Sequence, residues 1–186
     1  SISPSTITNA QTQITVTGTN FLTGASVEAV GTNGSIITAD TVSFTNSTTL
    51  VANFTITTDG TYFIRVENTD GNAGRSSSAL LTVSDAPTWT TAAGSLGSVS
   101  DGTAVNFTVA ATGDSTIAYS ETTAVLTSNA NTPAGTMNLS LNSSTGAITG
   151  TAPSPNSATT YNFTLRATDA EGQTADRAFS ITVTTG

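Results

Sequence analysis

Leu50-Val51-Ala52-Asn53-Phe54-Thr55-Ile56 puts Leu50, Ala52, Phe54 and Ile56 on one face of an extended chain and Val51, Asn53 and Thr55 on the other. A two-residue repeat of this kind describes a strand with one face in a core, because slipping it by one residue would exchange the faces. The pattern recurs outward from this stretch. In the N-terminal half it predicts strands over 13–17, 26–30, 35–38, 42–44, 50–56, 61–67 and 79–83. Asn33-Gly34, Asp59-Gly60 and Asp70-Gly71 lie between them, and Asn or Asp before Gly suits the positive φ of tight hairpin turns. About seven short strands in roughly 85 residues is the density of a β-sandwich.

The pattern breaks at Ser84-Asp85-Ala86-Pro87, where Pro87 cannot donate to a ladder, and then restarts. Val105, Phe107 and Val109 alternate with Asn106 and Thr108; Tyr161, Phe163, Leu165 and Ala167 with Asn162, Thr164 and Arg166; Phe179, Ile181 and Val183 with Ser180 and Thr182. Turns are expected at Asp101-Gly102, Gly113-Asp114, Thr145-Gly146 and Glu171-Gly172. No stretch has helical periodicity. The expectation is an all-β chain of two tandem immunoglobulin-like β-sandwich domains, 1–84 and 85–186, joined by a short stiff segment.

Composition agrees. Charged residues are 9% of the 186, against roughly 25% in an average soluble domain. Ser and Thr fill the gap at about a third of the chain, and β-branched Thr suits a pleated, half-solvated surface. The net charge is −8 with no Lys, so the chain cannot present the basic cluster that nucleic acid or an anionic membrane requires. The absence of Cys removes disulfide staples.

The same composition bears on chemistry. Without His, Cys or Lys there is no usual general base, thiol or amine nucleophile, so a Ser-His-Asp triad, a His/Cys zinc site and a P-loop are impossible within this chain. Two carboxylates could serve a glycosidase. But Asp59, Asp70, Asp101 and Glu171 each precede a Gly at a predicted turn, where the side chain stabilises the bend. No catalytic, cofactor or metal residues are expected, and no cofactor.

Residues 2–83 resemble the IPT/TIG immunoglobulin-like family through Gly18-Thr19-Asn20-Phe21, Gly24-Ala25-Ser26-Val27, Val66-Glu67-Asn68-Thr69-Asp70-Gly71 and Leu81-Thr82-Val83. Residues 87–184 resemble the putative-Ig, cadherin-like domains of bacterial surface proteins and phage structural proteins. The carriers are Pro87-Thr88-Trp89, Gly94-Ser95-Leu96-Gly97, the run Thr145-Gly146-Ala147-Ile148-Thr149-Gly150-Thr151-Ala152-Pro153, Thr160-Tyr161-Asn162-Phe163 and Ala167-Thr168-Asp169. Gly146 and Gly150 are expected to frame Ile148 in a tight hairpin. The resemblance implies a non-enzymatic structural or binding protein on a bacteriophage virion, as capsid decoration or fibre component. Its implied partners are other virion proteins in a multi-copy assembly, with host-surface glycans as a second class. The alternative is an Ig-like repeat fragment of a bacterial adhesin, with an export signal on a longer precursor. Cadherin-like domains also bind calcium at their junctions, which directs attention to Asp85 and to Asp169, Glu171 and Asp176; turn chemistry is the favoured reading of these carboxylates.

Two further expectations are specific. Alternation in Tyr62-Phe63-Ile64-Arg65-Val66-Glu67 sends Phe63 and Arg65 to the outer face, where an aromatic beside Arg makes a candidate partner-facing patch. Trp89 and Pro87 are expected to pack at the joint between the domains, with sugar stacking the alternative for Trp89. Seven Asn-x-Ser/Thr sequons occur, close to what so much Ser and Thr gives by chance.

Overall fold

The computed structural model describes residues 1–128 and 136–186. Among these residues there are strands, turns and bends but no helix, and so none long and apolar enough to cross a membrane. The backbone divides into two compact units, Ser1–Asp85 and Ala86–Gly186, each with its own apolar core.

The strands of the first unit are β1 (Ile2–Ser3), β2 (Thr6–Ile7), β3 (Thr12–Thr17), β4 (Ser26–Gly31), β5 (Ile36–Thr38), β6 (Thr41–Asn46), β7 (Thr49–Phe54), β8 (Gly60–Glu67), β9 (Ala73–Arg75) and β10 (Leu81–Val83). One sheet runs β1-β3-β7-β6; the other runs β2-β10-β8-β4-β5, with β9 also paired to β8. The 50–56 stretch supplies β7, paired on both sides, and Leu50, Ala52, Phe54 and Ile56 are completely buried. Facing them from the second sheet are Val27, Ala29, Tyr62, Ile64, Leu81 and Val83. Each fully buried Leu, Ile or Phe contributes about 1.5–3 kcal/mol.

The expected all-β sandwich class is the one observed, with differences that have physical causes. β1, β2 and β9 are two or three residues long, too short for any period to show. Asn33-Gly34 and Asp70-Gly71 close the β4–β5 and β8–β9 hairpins. Asp59-Gly60, expected at a hairpin, instead connects β7 to β8, which lie in different sheets. There the turn carries the chain across the sandwich.

The second unit contains β11 (Thr88–Trp89), β12 (Gly94–Ser100), β13 (Ala104–Thr108), β14 (Ala111–Thr112), β15 (Ala118–Glu121), β16 (Ser140–Leu141), β17 (Ala147–Thr151), β18 (Thr159–Thr168) and β19 (Thr174–Thr184). They form the sheets β12-β19-β18-β15 and β13-β17-β16 and the short pair β11-β14. β18 and β19 make a ten-pair antiparallel hairpin whose inward residues Tyr161, Phe163, Leu165, Phe179, Ile181 and Val183 are buried. β12 was invisible as a strand because Gly94, Gly97 and three Ser leave it no alternation; pairing in parallel with β19 defines it.

The expected Gly146–Gly150 frame is half right. Asn142 to Gly146 makes the β16–β17 turn, but Gly150 lies within β17, where an added Cβ would meet Leu139 Cδ2 at 2.9 Å. Gly146 itself has φ +70, and a Cβ there would fall 2.1 Å from the Val109 carbonyl oxygen. Gly71 has a similar φ of +86 but open space around it. Gly71→Ala should therefore lose only the left-handed backbone term, about 1–2 kcal/mol. Gly146→Ala should lose clearly more, since the backbone of β13's continuation must also retreat. Urea denaturation of the two variants reads the difference; equal losses would mean that the approach of Val109 carries no cost.

Candidate functional site

The outer face of the larger sheet in the first unit is where the sequence placed Phe63 and Arg65. Tyr62 and Ile64 point into the core, and Phe63 and Arg65 alternate with them, both half-buried. Phe63 lies directly opposite Val30, and Val30 opposite Ile36, so the register of three strands builds an apolar row across the sheet. Ile36, at 63% exposure, is the most solvent-exposed of the large apolar side chains. β5 pairs only with β4, so the row ends at a sheet edge that carries no charged residue. Natural edges are usually blunted by charge, and this one is not.

Arg65, expected on the outer face as part of a partner-facing patch, is ion-paired. It stands opposite Glu28, donates from Nη1 to that carboxylate at 2.7 Å, and also bonds the Glu67 carboxylate. Those hydrogen bonds, to Glu67 first and then Glu28, hold the guanidinium pKa above its ordinary value. The cation beside Phe63 is one the sequence reading missed: Arg75 on β9 puts its guanidinium carbon 4.4 Å from the Phe63 ring centroid. Arg75 makes no ion pair among the described residues. A cation over an exposed ring contributes about 0.5–1 kcal/mol. The face therefore presents an apolar row, a stacked cation and a locally compensated acid pair.

Trp89 and Pro87, expected at the joint, are both buried. Trp89 is a core residue of the second unit: its ring meets Tyr119 and Phe179 at centroid distances of 5.7 and 5.3 Å, and Nε1 donates to the Ala175 carbonyl at 3.0 Å. Arg177 donates to the Thr91 carbonyl at 2.7 Å, fastening the same segment to β19. With 6% of its surface exposed, Trp89 has no face for stacking on a sugar.

Several of the carboxylates singled out in the sequence are committed to structure. Asp70 accepts from the Asn72 backbone N–H and Nδ2, which holds its pKa low. Asp176 leaves the group proposed with Asp169 and Glu171 and takes a two-point bond from Arg166, at 2.7 and 2.8 Å. Asp85 accepts from the backbone N–H and Nδ2 of Asn9. Glu121 was not anticipated: Oε1 accepts from Val125 N and Leu126 N, and Oε2 from Thr127 N, clamping the loop after β15. A cleft of about 350 Å³ in the first unit opens beside Val16, Phe21, Ile64 and Val66, and one of about 340 Å³ in the second beside Asn162 and Phe179. Neither is lined by a carboxylate. A paired acid and base across a cleft, as glycoside hydrolysis needs, is not built in either.

Residues 86–184 match the family model described as Putative Ig domain. The chain belongs to the Putative Ig domain family. Among solved structures it is similar to extracellular domains 3–5 of Drosophila OTK, with 14% identity and a TM-score of 0.52, covering 96% of this chain and 58% of that one. It is also similar to an E-to-A variant of the titin domains I67–I69, with 13% identity and a TM-score of 0.50, covering 96% and 61%. The chain thus spans about three fifths of either structure. No curated protein matches it. At such identities the likeness establishes the fold, an Ig-like β-sandwich. Putative Ig and related Ig-like domains are in general structural and binding modules, typical of surface adhesion and binding proteins.

Glu121 offers a test of the electrostatics. Burial pushes its carboxyl up, but the three backbone N–H donors and Thr127 Oγ1 outweigh that and hold it below its ordinary 4.5. A depressed folded-state pKa stabilises fully above the unfolded value and is lost as pH falls through the folded one. Glu121→Gln, which loses charge-assisted bonds, should cost about 1.5–3 kcal/mol at neutral pH. The gap from the parent protein should close as the pH drops below about 4 in urea melts. A pH-independent gap would contradict the assignment.

Proposed function

We propose that this protein is a non-catalytic contact module of an outer surface, that of a bacteriophage virion, docking to neighbouring virion proteins through the outer face of β8, β4 and β5. The observation that carries the contact reading is the Ile36–Val30–Phe63 row, capped by Arg75. Aromatic and Arg side chains around an apolar centre are what interfaces enrich, and the centre here lacks the Lys and Glu that interfaces deplete. The uncharged β5 edge suits a strand-adding neighbour as well. The virion setting is supported by the Thr-rich, cysteine-free composition and by the resemblance of the second half to domains used in phage structural proteins.

We assign residues 1–84 to the IPT/TIG type on the same footing. Gly18-Thr19-Asn20-Phe21 folds the Phe21 ring back over Gly18, where any Cβ would meet Phe21 Cζ at 2.5 Å. Phe21 is accordingly buried. Host-surface glycans remain a second class of ligand for the assembled surface, and a bacterial adhesin repeat is the competing setting.

Mass spectrometry of purified particles from the source should find this chain in stoichiometric amount; recovery from cell walls alone would replace the virion with the adhesin. On particles, Phe63→Asp should weaken association at least tenfold while changing unfolding free energy by about 1 kcal/mol or less, since only a surface cation–π contact is exchanged for a surface ion pair. A stability loss of core size, about 3–5 kcal/mol, would show that Phe63 serves packing instead.

A further inference from the structure

Over β7 the two sheets of the first unit bury every inward side chain. Between β1, the edge of one sheet, and β9, beside β8 in the other, they leave a cleft of about 350 Å³. Its floor is the side of the core: Val16, Phe21, Ile64, Val66 and Leu80, with Ile2 at the rim. The opening has a cause in the sequence of β9. Gly74 pairs with Val66, so position 74 lies on the same face as the inward residues Tyr62, Ile64 and Val66, yet it carries no side chain. Ser76, beyond it, is spent on the ladder: its hydroxyl accepts the Ile64 N–H at 3.0 Å and donates to the Ser78 carbonyl at 2.7 Å. A Cβ at Gly74 would meet nothing within 4 Å, and the residue's φ lies outside the left-handed region. Neither backbone nor packing demands glycine there, and glycine weakens a strand. Protein interiors are otherwise close-packed, so an apolar gap that one side chain would close is a feature that folding does not explain.

We propose that the cleft between β1 and β9 binds a small, neutral, aliphatic molecule, with Gly74 keeping the entrance open. The lining selects this class. It contains no Asp, Glu or Arg, so nothing there pairs with a charged ligand. It offers little to a sugar. Phe21 is the one aromatic ring in it and is 8% exposed, which leaves no face for stacking. The amides at the mouth are also engaged: Asn68 Nδ2 donates to the Asn20 carbonyl at 2.7 Å and its Oδ1 accepts the Leu22 N–H, while Asn72 Nδ2 donates to Asp70. What is left is apolar contact along the floor and the exposed hydroxyls of Thr17 and Thr19 for one polar end. Size agrees. An apolar cavity of about 150 Å³ takes benzene, and ligand pockets begin at about 300 Å³, so this one suits a medium-chain alcohol.

Titration of the isotope-labelled full chain with n-octanol, followed through its amide chemical shifts, tests the site. The expected result is a set of saturable shifts centred on Val16, Val66, Ala73 and Gly74, with octanoate, equal in length but charged, at least tenfold weaker. Gly74→Leu fills the cleft, so it should weaken octanol binding at least tenfold while unfolding in no less urea than the parent. Should that variant fail to fold, Val66→Thr keeps the shape, puts a hydroxyl on the floor and should weaken binding several-fold. Shifts that never saturate within the solubility of octanol overturn the proposal. Saturable shifts that both variants leave unchanged overturn it too, since the alcohol then sits elsewhere, and octanoate binding as tightly as octanol overturns the neutral class. Dimerisation of the parent that Gly74→Leu abolishes, with no response to octanol, would give the cleft to a side chain of a second copy instead. Phe63 and Ile36 do not line the cleft, so their contact role is tested separately.

Discussion

Without a cysteine, and without a helix among the described residues, each unit is held by the closure of two sheets over one set of alternate side chains. On β7 and β8 the inward set is complete: Leu50, Ala52 and Phe54 meet Tyr62 and Ile64, and all five are buried. The outward set is then relieved of any duty to stability. That is why so many of its members are Thr, Ser and Asn, and why apolar exceptions such as Ile36 stand out. A sandwich tolerates any outer residue compatible with a pleated strand, so a large apolar one at 63% exposure is not explained by folding.

Charge is distributed on the same logic. The chain has four cations, and each is engaged inside its own unit: Arg65 with Glu28 and Glu67, Arg75 over Phe63, Arg166 with Asp176, and Arg177 with the carbonyl of Thr91. No Arg is left over for the remaining carboxylates, which take backbone and side-chain donors instead, as Glu121, Asp70 and Asp40 do. The acidic balance of −8 is thus concentrated in loops, not spread over the sheets.

What could be read from the residues follows from how far apart the interacting parts lie. Tyr161, Phe163, Leu165 and Ala167 were legible because a strand's own period records which face is buried. The outward placement of Phe63 came from the same rule. Arg75 could not be found that way, since it meets Phe63 only through the pairing of β9 with β8, and β9 is three residues long. Trp89 could be placed only by its neighbours in sequence, the joint. Its neighbours in space are Tyr119, Phe179 and Ala175, the last 86 residues away. Asp176 was grouped with Asp169 by proximity in sequence, yet the strand register turns it toward Arg166.

The exceptions to the folding rules are of two kinds. The first unit exposes the large apolar side chains Leu22, Ile36 and Phe44, and each unit buries a side-chain oxygen without a hydrogen-bond partner, Asn9 Oδ1 in the first and Asp169 Oδ2 in the second. Neither kind adds to the stability of the isolated chain. Of these exceptions, the apolar ones include Ile36, which the register of β5, β4 and β8 joins to Val30 and Phe63 in one row, and that row is what the contact role proposed for the first sandwich rests on.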